Sequence, residues 1–270
     1  MSDQLKIFNV TNRADPLLDE LHCVPAAVGK NKFPKNYLEC KTGDNIFHKD
    51  PYYAEYIFQY WFWKNELKKI TDNNWIGFCA YRRFWLNDNN KDNQDVKFKE
   101  KVLNKIPKIW NDYDVILGNK IYVDNVKWIK ILKYGKTSLI KNPRAIFKKN
   151  RNIKFHFDMF HGNDIIEKAI EVLNINDKND FKDFVKSKKS YNQGNMFICK
   201  SKKIMTKYYE AVFEWLSECE KVFGFDLSGY GKIRIYGFLA ERFLPYWFNK
   251  YSNCLEWPIV FNDLRKENLN

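Results

Sequence analysis

The sequence predicts an α/β fold on three observations: short apolar segments of strand length, longer segments of helical periodicity, and ample apolar material. The 270-residue chain is 45% hydrophobic and 17% aromatic, which excludes a disordered protein and provides for a packed core. The predicted strands are residues 5–10, 23–28, 75–80, 114–117 and 194–199. The predicted helices are residues 50–70, 162–173, 202–222 and 236–251. Strands and helices that alternate along a chain are typical of the α/β class.

Local signals justify the central elements. The helix at residues 50–70 has a strong start, because Asp50 can cap its N-terminus and Pro51 suits the first helical position. The run at residues 75–80 is almost wholly apolar, which is typical of a strand buried on both faces. No internal repeat and no linker divides the chain, so we expect a single domain over residues 1–270.

The charge indicates anionic partners. Lys and Arg number 46 against 33 Asp and Glu, a net charge of +13. Residues 118–154 hold eleven basic residues and one acid, so they carry +10 of that total. Within them Lys127, Lys130 and Lys133 lie three apart among aromatic and aliphatic residues, the composition of a membrane-surface helix. The alternatives are an anionic membrane surface as partner or a solvated lysine-rich face.

The cysteines and the N-terminus predict a cytoplasmic location. No CxxC pair exists among the six cysteines, and Cys79 and Cys199 stand in apolar runs, where free buried thiols are expected. The first residues carry no signal-peptide pattern, and no stretch approaches about 20 uninterrupted apolar residues. We therefore expect a protein in the cytoplasm or at the inner surface of the cytoplasmic membrane.

Unusual residues follow two of the predicted strands. Thr11 follows the first strand, and Tyr81, Arg82 and Arg83 follow the apolar run at residues 75–80. Open α/β sheets bind ligands beyond the carboxyl ends of their strands, and an arginine fork matches a phosphate. The alternative is that one arginine points to solvent and the other forms a salt bridge.

Two polar turns add further candidates. Gly194 and Asn195 open the strand at residues 194–199 and could bring amide groups close to a sugar. Asp44 and Asn45 precede the first helix and could hydrogen-bond the hydroxyls of a ligand. The alternatives are an ordinary turn for the first pair and an Asx-turn for the second.

One acid stands in an apolar helical setting. Glu241, next to Arg242, is either an acid/base group with a perturbed pKa or the partner of an arginine. No P-loop, GxGxxG, HExxH or GxSxG motif occurs, and no Asp-x-Asp pair follows an apolar strand. We therefore expect no resident metal.

Six blocks stand in a characteristic order along the chain. They are Thr42-Gly43-Asp44-Asn45-Ile46 with Asp50-Pro51-Tyr52-Tyr53-Ala54-Glu55 and Tyr60-Trp61-Phe62-Trp63-Lys64-Asn65, Ile76-Gly77-Phe78-Cys79-Ala80-Tyr81-Arg82-Arg83-Phe84, Asn111-Asp112-Tyr113-Asp114-Val115-Ile116-Leu117, His161 with Asp164, Gly194-Asn195-Met196-Phe197-Ile198, and Arg234-Ile235-Tyr236-Gly237-Phe238-Leu239-Ala240-Glu241-Arg242. In this order they resemble a family of bacterial glycosyltransferase-like proteins encoded among capsule and lipopolysaccharide genes. One position departs from the pattern: Ala80 stands where the family usually has His, so no role of that histidine carries over.

The resemblance implies a GT-A-like nucleotide-sugar-binding domain with a mixed, mostly parallel sheet and a helical C-terminal part. It also implies sugar transfer from a nucleotide-sugar to a growing capsule or lipopolysaccharide glycan, and some family members resemble galactofuranosyltransferases. A UDP-linked sugar is the expected co-substrate, with no other cofactor. His161, Asp164 and Arg242 join the substrate-binding candidates through this resemblance.

The resemblance gives the arginines and the acids roles. Arg82 and Arg83 would neutralise the leaving diphosphate in place of a metal. Glu241 would be the base of an inverting transfer, with Asp226, in a glycine-containing loop, as the second candidate.

Two other classes of function stay open. One is a non-catalytic nucleotide- or glycan-binding protein. The other is a basic nucleic-acid-binding protein, in which residues 127–154 would contact phosphates. The aromatic residues argue against nucleic acid as a partner, because they cluster at residues 52–63 and not in the basic stretch.

Overall fold

The fold is built on a seven-stranded sheet, seen in a computed structural model that describes residues 4–71, 74–87 and 97–262. The strand order is β10-β6-β9-β4-β1-β2-β3. All neighbours run parallel except at β9, which is antiparallel to both β4 and β6. The sheet confirms the predicted α/β class and its mixed, mostly parallel character. The seven strands are β1 Leu5–Thr11, β2 Val24–Ala27, β3 Leu38–Glu39, β4 Trp75–Ala80, β6 Val115–Gly118, β9 Phe197–Cys199 and β10 Cys254–Trp257.

Two small antiparallel pairs complete the strands. The first joins β5 to β11, and the second joins β7 to β8. Their strands are β5 Arg83–Trp85, β7 Lys120–Tyr122, β8 Ser190–Asn192 and β11 Ile259–Phe261.

Eleven α-helices lie in the described ranges, and the two longest are close to the C-terminus, which confirms the predicted helical C-terminal part. They are α1 Asp50–Tyr53, α2 Tyr56–Trp61, α3 Phe98–Lys101, α4 Trp128–Tyr134, α5 Lys136–Lys141, α6 Ile153–His161, α7 Ile165–Glu171, α8 Ile175–Ser187, α9 Lys202–Phe223, α10 Tyr230–Ile233 and α11 Ile235–Tyr251. Among the described helices, none has both the length and the apolar character that crossing a membrane requires.

The predicted helix over residues 50–70 is broken. Ala54 adopts a left-handed conformation with φ of 52°, which ends α1. The chain resumes as α2, continues as a π-helix over Phe62–Glu66 and ends as a 3₁₀-helix over Leu67–Lys69. Alanine favours helices, so the break is imposed by tertiary structure rather than by local propensity.

The chain divides into two compact units, each made of separate segments. Unit 1 comprises residues 1–119, 194–209 and 248–270, and it contains the seven-stranded sheet. Unit 2 comprises residues 120–193 and 210–247. The single domain expected over residues 1–270 stays a prediction.

Aromatic rings form much of the core on one face of the unit 1 sheet. Phe8 of β1 and Phe78 of β4 stack at 5.7 Å between ring centroids. Phe62 contacts both rings, and Phe197 of β9 lies 5.3 Å from Phe78. All four are essentially fully buried, so this face binds the helical segment at residues 56–66 to the sheet.

Tryptophans dominate the core on the other side of β4. Trp75 and Trp257 both pack against Trp110, with centroid separations of 5.3 Å in each case. The indole of Trp85 donates a 3.0 Å hydrogen bond to the carbonyl of Phe78, so burial leaves its polar group satisfied. The free thiols of Cys79 and Cys199 are buried within unit 1, as predicted.

Unit 2 has its own core around helix α8. Phe181 of α8 contacts the rings of Trp215, Phe243 and Tyr246 at 5.1 to 5.6 Å. Trp215 donates a 2.7 Å hydrogen bond to the carbonyl of Ala169 in α7. These contacts join α7, α8, α9 and α11 into one packed group.

The β4–β9 contact gives a stability prediction. A Cβ added at Gly77 in β4 would lie 2.6 Å from Cγ1 of Ile198 in β9, whereas one at Gly118 in β6 would meet only ordinary contacts at 3.5 Å. We expect Gly77→Ala to lower the free energy of unfolding by about 1–3 kcal/mol, since the added methyl overpacks the core. Gly118→Ala is the matched control and should be nearly neutral. Equal effects of the two substitutions in denaturant titrations would contradict this account.

Candidate functional site

The carboxyl edge of the unit 1 sheet brings together several residues that are far apart in sequence. Strand β9 is antiparallel to β4, with Ile76 opposite Cys199 and Gly77 opposite Ile198. The residues that precede β9 therefore meet the residues that follow β4. Six predicted candidates lie at this edge: Thr11, Tyr81, Arg82, Arg83, Gly194 and Asn195. Asp44 and Asn45 lie in the loop that follows β3, the strand at the far end of the sheet.

The two arginines after β4 have different surroundings. Arg82 lies over the rings of Tyr81 and Phe261, at 5.6 and 5.8 Å. Arg83 is the first residue of β5 and is half-buried. Within residues 4–71, 74–87 and 97–262, no ion pair involves Arg83. The described residues therefore give no support to a structural salt bridge at Arg83.

The Gly194–Asn195 turn lies against Arg83. A Cβ on Gly194 would stand 3.7 Å from Cδ of Arg83, and the φ of Gly194 is +92°, which favours glycine. Asn195 also has a left-handed backbone, with φ of 52°. Gly194 and Asn195 therefore form a turn, as the alternative in the sequence analysis states, and this turn has a left-handed backbone at both residues.

Asn195 is tied to the helical segment that follows the Ala54 break. Its Nδ2 donates a 2.9 Å hydrogen bond to Oε1 of Glu55, and its carbonyl accepts a 3.0 Å bond from Nε2 of Gln59. The left-handed residue Ala54 directly precedes Glu55. Glu55 ends the family block at residues 50–55, but the sequence analysis gave it no role in the site.

Asn9 is a second residue that sequence reasoning missed. It is fully buried in β1, and its Nδ2 donates to Sγ of Cys79 at 3.2 Å and to the carbonyl of Ala80 at 3.3 Å. An amide between the apolar residues Phe8 and Val10 of the strand was the signal that could have found it. Asn9 holds the carboxyl end of β4 in place, directly before the arginines.

The other polar candidates of unit 1 are held by local hydrogen bonds. The hydroxyl of Thr11 accepts from the N–H of Arg13 at 3.1 Å and donates to its carbonyl at 2.7 Å. Asn45 forms an Asx-turn, in which Oδ1 accepts from the N–H of Phe47 at 3.1 Å. Asp44 accepts a 3.1 Å hydrogen bond from the hydroxyl of Tyr60. Ligand binding by these three residues stays a prediction.

His161 lies in the core of unit 2. Its Nδ1 is 2.9 Å from the carbonyl of Gly231, and its ring stacks on Phe238 with centroids 4.0 Å apart. Burial, followed by the positive charge of Arg242, lowers the pKa of His161 to about 2. The same two causes lower the pKa of His156 to about 3. Both imidazoles are therefore neutral at physiological pH.

Asp164 has a different partner from His161, although the two residues form one block of the family pattern. It has a left-handed φ of 67° and forms an ion pair with Lys141, and hydrogen bonding to that lysine lowers the pKa of Asp164. No hydrogen bond joins His161 to Asp164 in the described part of the chain. His161 and Asp164 therefore make two separate contacts within unit 2, and ligand binding by either residue stays a prediction.

Glu241 forms an ion pair with Arg242 within helix α11. The guanidinium of Arg242 is 2% exposed and lies 4.7 Å from the Tyr191 ring centroid and 5.3 Å from that of Phe157. This contact corresponds to the structural alternative for Glu241. Asp226 is exposed in the loop that follows α9. The catalytic roles of Glu241 and Asp226 stay predictions.

No group of three or more His, Cys, Asp or Glu side chains suited to a metal ion occurs in the described ranges. Arg82 and Arg83 place two guanidinium groups at the carboxyl edge of the sheet. Guanidinium groups at the end of a central strand can bind a phosphate through paired hydrogen bonds.

The mostly parallel sheet with one antiparallel inner strand agrees with a GT-A-like α/β domain. The sequence matches the family described as "Domain of unknown function (DUF4422)" over residues 6–253, and the chain belongs to this family. No curated protein sequence matches it.

A solved structure supports the fold. The chain is similar to the structure titled as the apo WbbM bifunctional glycosyltransferase, with a TM-score of 0.63 and 21% identity. The match covers 96% of this chain and 45% of that one, so the chain spans less than half the length of that protein. At this identity the likeness shows that the chain has the fold of a glycosyltransferase.

The buried histidines give a pH prediction. They stay neutral in the folded protein, whereas in the unfolded chain they bind a proton near pH 6.5. Their folded pKa values are depressed, so stability is lost as the pH falls below about 6.5, by about 1.4 kcal/mol per pH unit for each histidine. We expect Tm to fall between pH 7 and pH 5.

The His156→Phe variant should lose less stability over this pH range than the wild-type protein. His48→Gln is the control, because His48 is exposed and its replacement should leave the pH dependence unchanged. A wild-type pH dependence in His156→Phe would show that this histidine is not the cause.

Proposed function

We propose that this protein is a glycosyltransferase that moves a sugar from a nucleotide-sugar donor, expected to be UDP-linked, to a growing capsule or lipopolysaccharide glycan. Galactofuranose or another hexose is the sugar that the sequence resemblance favours. The observation that carries the proposal is the juxtaposition of Arg83 with the Gly194–Asn195 turn at the carboxyl edge of a GT-A-like sheet. Ligands of open α/β sheets bind at such an edge.

In this proposal the arginines bind the donor diphosphate. As the bond between sugar and diphosphate breaks, negative charge develops on the leaving oxygen. The guanidinium groups of Arg82 and Arg83 would stabilise that charge without a resident metal. The φ of +92° at Gly194 favours glycine, and this turn lies directly against the side chain of Arg83.

An inverting transfer also needs a carboxylate that removes the proton of the acceptor hydroxyl. Sequence analysis favours Glu241, with Asp226 second, and both belong to unit 2. The geometry of unit 1 adds Glu55, because its carboxylate is held by Asn195 beside the proposed donor edge. A retaining transfer would need no base at that place.

The proposed place of the reaction is the inner face of the cytoplasmic membrane, where glycan acceptors linked to lipid are accessible. A non-catalytic nucleotide- or glycan-binding role is the alternative. Transfer or hydrolysis of a nucleotide-sugar donor distinguishes the two, because a binding protein would leave the donor intact. We expect turnover when a panel of UDP-sugars is incubated with the protein and glycan acceptors.

Removal of either arginine should weaken donor binding. We expect Arg82→Ala and Arg83→Ala each to lose roughly 1.5–3 kcal/mol of donor affinity, the usual contribution of a hydrogen bond to a charged group. Calorimetry with UDP and UDP-sugars measures this change. The control is Lys203→Ala, which removes one exposed positive charge of unit 1 elsewhere.

If both arginine variants bind the donor with wild-type affinity, the proposal that Arg82 and Arg83 bind its diphosphate is wrong. A chelator gives an independent check of metal independence, since EDTA should leave transfer unchanged. Loss of activity with EDTA and its return with manganese would contradict the metal-independent mechanism even if the arginines bind donor.

The carboxylate prediction separates chemistry from structure. We expect Glu241→Gln to lower turnover by about 100-fold or more while donor affinity stays nearly intact, because glutamine preserves shape but accepts no proton. Glu55→Gln is measured beside it, and Glu214→Gln, on the exposed side of α9, is the control.

Two outcomes would contradict the Glu241 assignment. Joint loss of donor binding and thermal stability in Glu241→Gln would make it the structural partner of Arg242. Loss of turnover confined to Glu55→Gln would identify the carboxylate at the unit 1 edge as the base.

A further inference from the structure

Exposed apolar side chains are concentrated in one part of unit 2. Of the fifteen large hydrophobic residues that are exposed in the described ranges, eight lie between residues 122 and 147. The eight are Tyr122, Trp128, Ile129, Leu132, Tyr134, Ile140, Ile146 and Phe147. Eight exposed apolar side chains within 26 residues of sequence differ from the scattered single ones that a protein surface normally carries, so this segment is the candidate for an interaction site.

Helix α4 presents apolar and basic residues side by side. Ile131 is its buried residue, and Ile129 and Lys133 lie on the opposite face. Ile129 and Leu132 are three residues apart, as are Lys130 and Lys133, so an aliphatic row runs beside a basic row. All four of these side chains are exposed, and Ile129 is 77% exposed.

Helix α5 repeats this arrangement. Ser138 is its buried residue, whereas Lys136 and Ile140 are four residues apart on the exposed face. Ile140 is 79% exposed, the largest exposure among the fifteen apolar residues. Two consecutive short helices therefore present the same combination of lysine and isoleucine to solvent.

A buried arginine holds this part of the chain together. Arg151 is 4% exposed and donates hydrogen bonds of 3.0 to 3.3 Å to four backbone carbonyls, and its guanidinium lies 4.6 Å from the ring centroid of Trp128. The carbonyls belong to Asp124, Val126, Ala145 and Ile146. Arg151 therefore acts as an internal brace and not as a surface charge.

Two further basic residues of the 118–154 stretch are engaged within unit 2. Lys141 pairs with Asp164, and Lys154 pairs with Asp158 and Glu167 at 2.6 Å. The lysines at the exposed apolar residues, Lys130, Lys133 and Lys136, form no ion pair within the described residues. Their charge is therefore available to an external anion.

We propose that this face of α4 and α5 is a docking surface for an anionic phospholipid bilayer. Its residues are Ile129, Lys130, Leu132, Lys133, Lys136 and Ile140. The lysines would contact lipid headgroups while the aliphatic side chains insert at the boundary with the acyl chains. The surface is a property of unit 2 and its test does not depend on the proposed transfer reaction.

The chemistry of the surface favours lipid over nucleic acid. Its two most exposed apolar side chains, Ile129 and Ile140, are aliphatic and more exposed than the aromatic side chains of the same segment, and aliphatic side chains cannot stack on bases as aromatic rings do. Isoleucine and leucine beside lysine match the acyl boundary and the headgroup layer of a bilayer. A single-stranded nucleic acid is therefore the competing ligand in the test and not the expected one.

The test measures binding of the full chain to sedimented vesicles. We expect binding to vesicles of phosphatidylglycerol and phosphatidylcholine, none to pure phosphatidylcholine, and weaker binding as salt rises, because screening shortens the reach of each charge. The triple variant Lys130→Ser, Lys133→Ser, Lys136→Ser should reduce the partition coefficient at least tenfold. Lys30→Ser, Lys32→Ser, Lys35→Ser removes the same charge from unit 1 and should cause a much smaller loss.

A second pair of variants tests insertion. Ile129→Ser with Ile140→Ser should reduce the partition coefficient at least tenfold without lowering Tm, because both side chains are exposed. Ile109→Ser with Ile175→Ser is the matched control, since these residues are 53% and 74% exposed elsewhere. Its partition coefficient should equal that of the wild type.

Three results would overturn the proposal. They are the absence of binding to phosphatidylglycerol vesicles, equal binding to neutral vesicles, and equal losses in the surface variants and their controls. Tighter binding of a single-stranded oligonucleotide than of vesicles, lost in the same variants, would assign the surface to nucleic acid instead. None of these results bears on whether the protein transfers a sugar.

Discussion

Strand β4 has a different neighbour on each side, with β1 running parallel to it and β9 running antiparallel. The antiparallel pairing brings the turn before β9 to the end of β4. The side chain of Ile198 in β9 occupies the space beside Gly77, so even an added methyl at Gly77 would overlap it. Asn9 secures the end of β4 from the other neighbour. The position of Arg83 relative to the Gly194–Asn195 turn depends on this pairing.

The positive charge of the protein has two physical roles. Arg242 and Arg151 are buried, and each is stabilised by carbonyl oxygens or by aromatic rings within unit 2. A buried guanidinium is tolerated where its donors find acceptors, and it then fixes the segments that supply them. The exposed lysines of α4 and α5 remain as surface charge. A net charge counted from the sequence combines both roles.

Strong local patterns made the sheet and the long helices predictable. The apolar run at residues 75–80 coincides with β4, and the segments at 202–222 and 236–251 agree with α9 and α11 to within one residue at each end. Helix α6 was not predicted. Polar and apolar residues alternate from Lys154 to Met159, and this period of two is the pattern of a strand rather than of a helix. Its cap was visible, since Asn152 accepts a 2.9 Å hydrogen bond from the N–H of Phe155.

The candidate edge was predictable in part. Residues that follow strands could be selected from the sequence, because parallel strands end at a common edge. The contact between Glu55 and Asn195 could not, since it joins positions 140 residues apart and depends on a left-handed alanine that local propensity disfavours. The break at Ala54 therefore has to be seen in the structure.

The discontinuous course of unit 1 also governs the order in which the protein can fold. Strand β6 pairs with β9, which follows about 80 residues later, and with β10, which follows more than 130 residues later. The residues of unit 2 lie in the chain between β6 and β10. During synthesis β4 and β6 can be joined through β9 only after β9 has been made. The parallel pairing of β6 with β10 can form only after β10 has been made. Helices α6 to α8 can meanwhile pack on one another. The late closure leaves β4 and β6 with open edges, which makes the nascent chain most vulnerable to aggregation while residues 120–193 are being made.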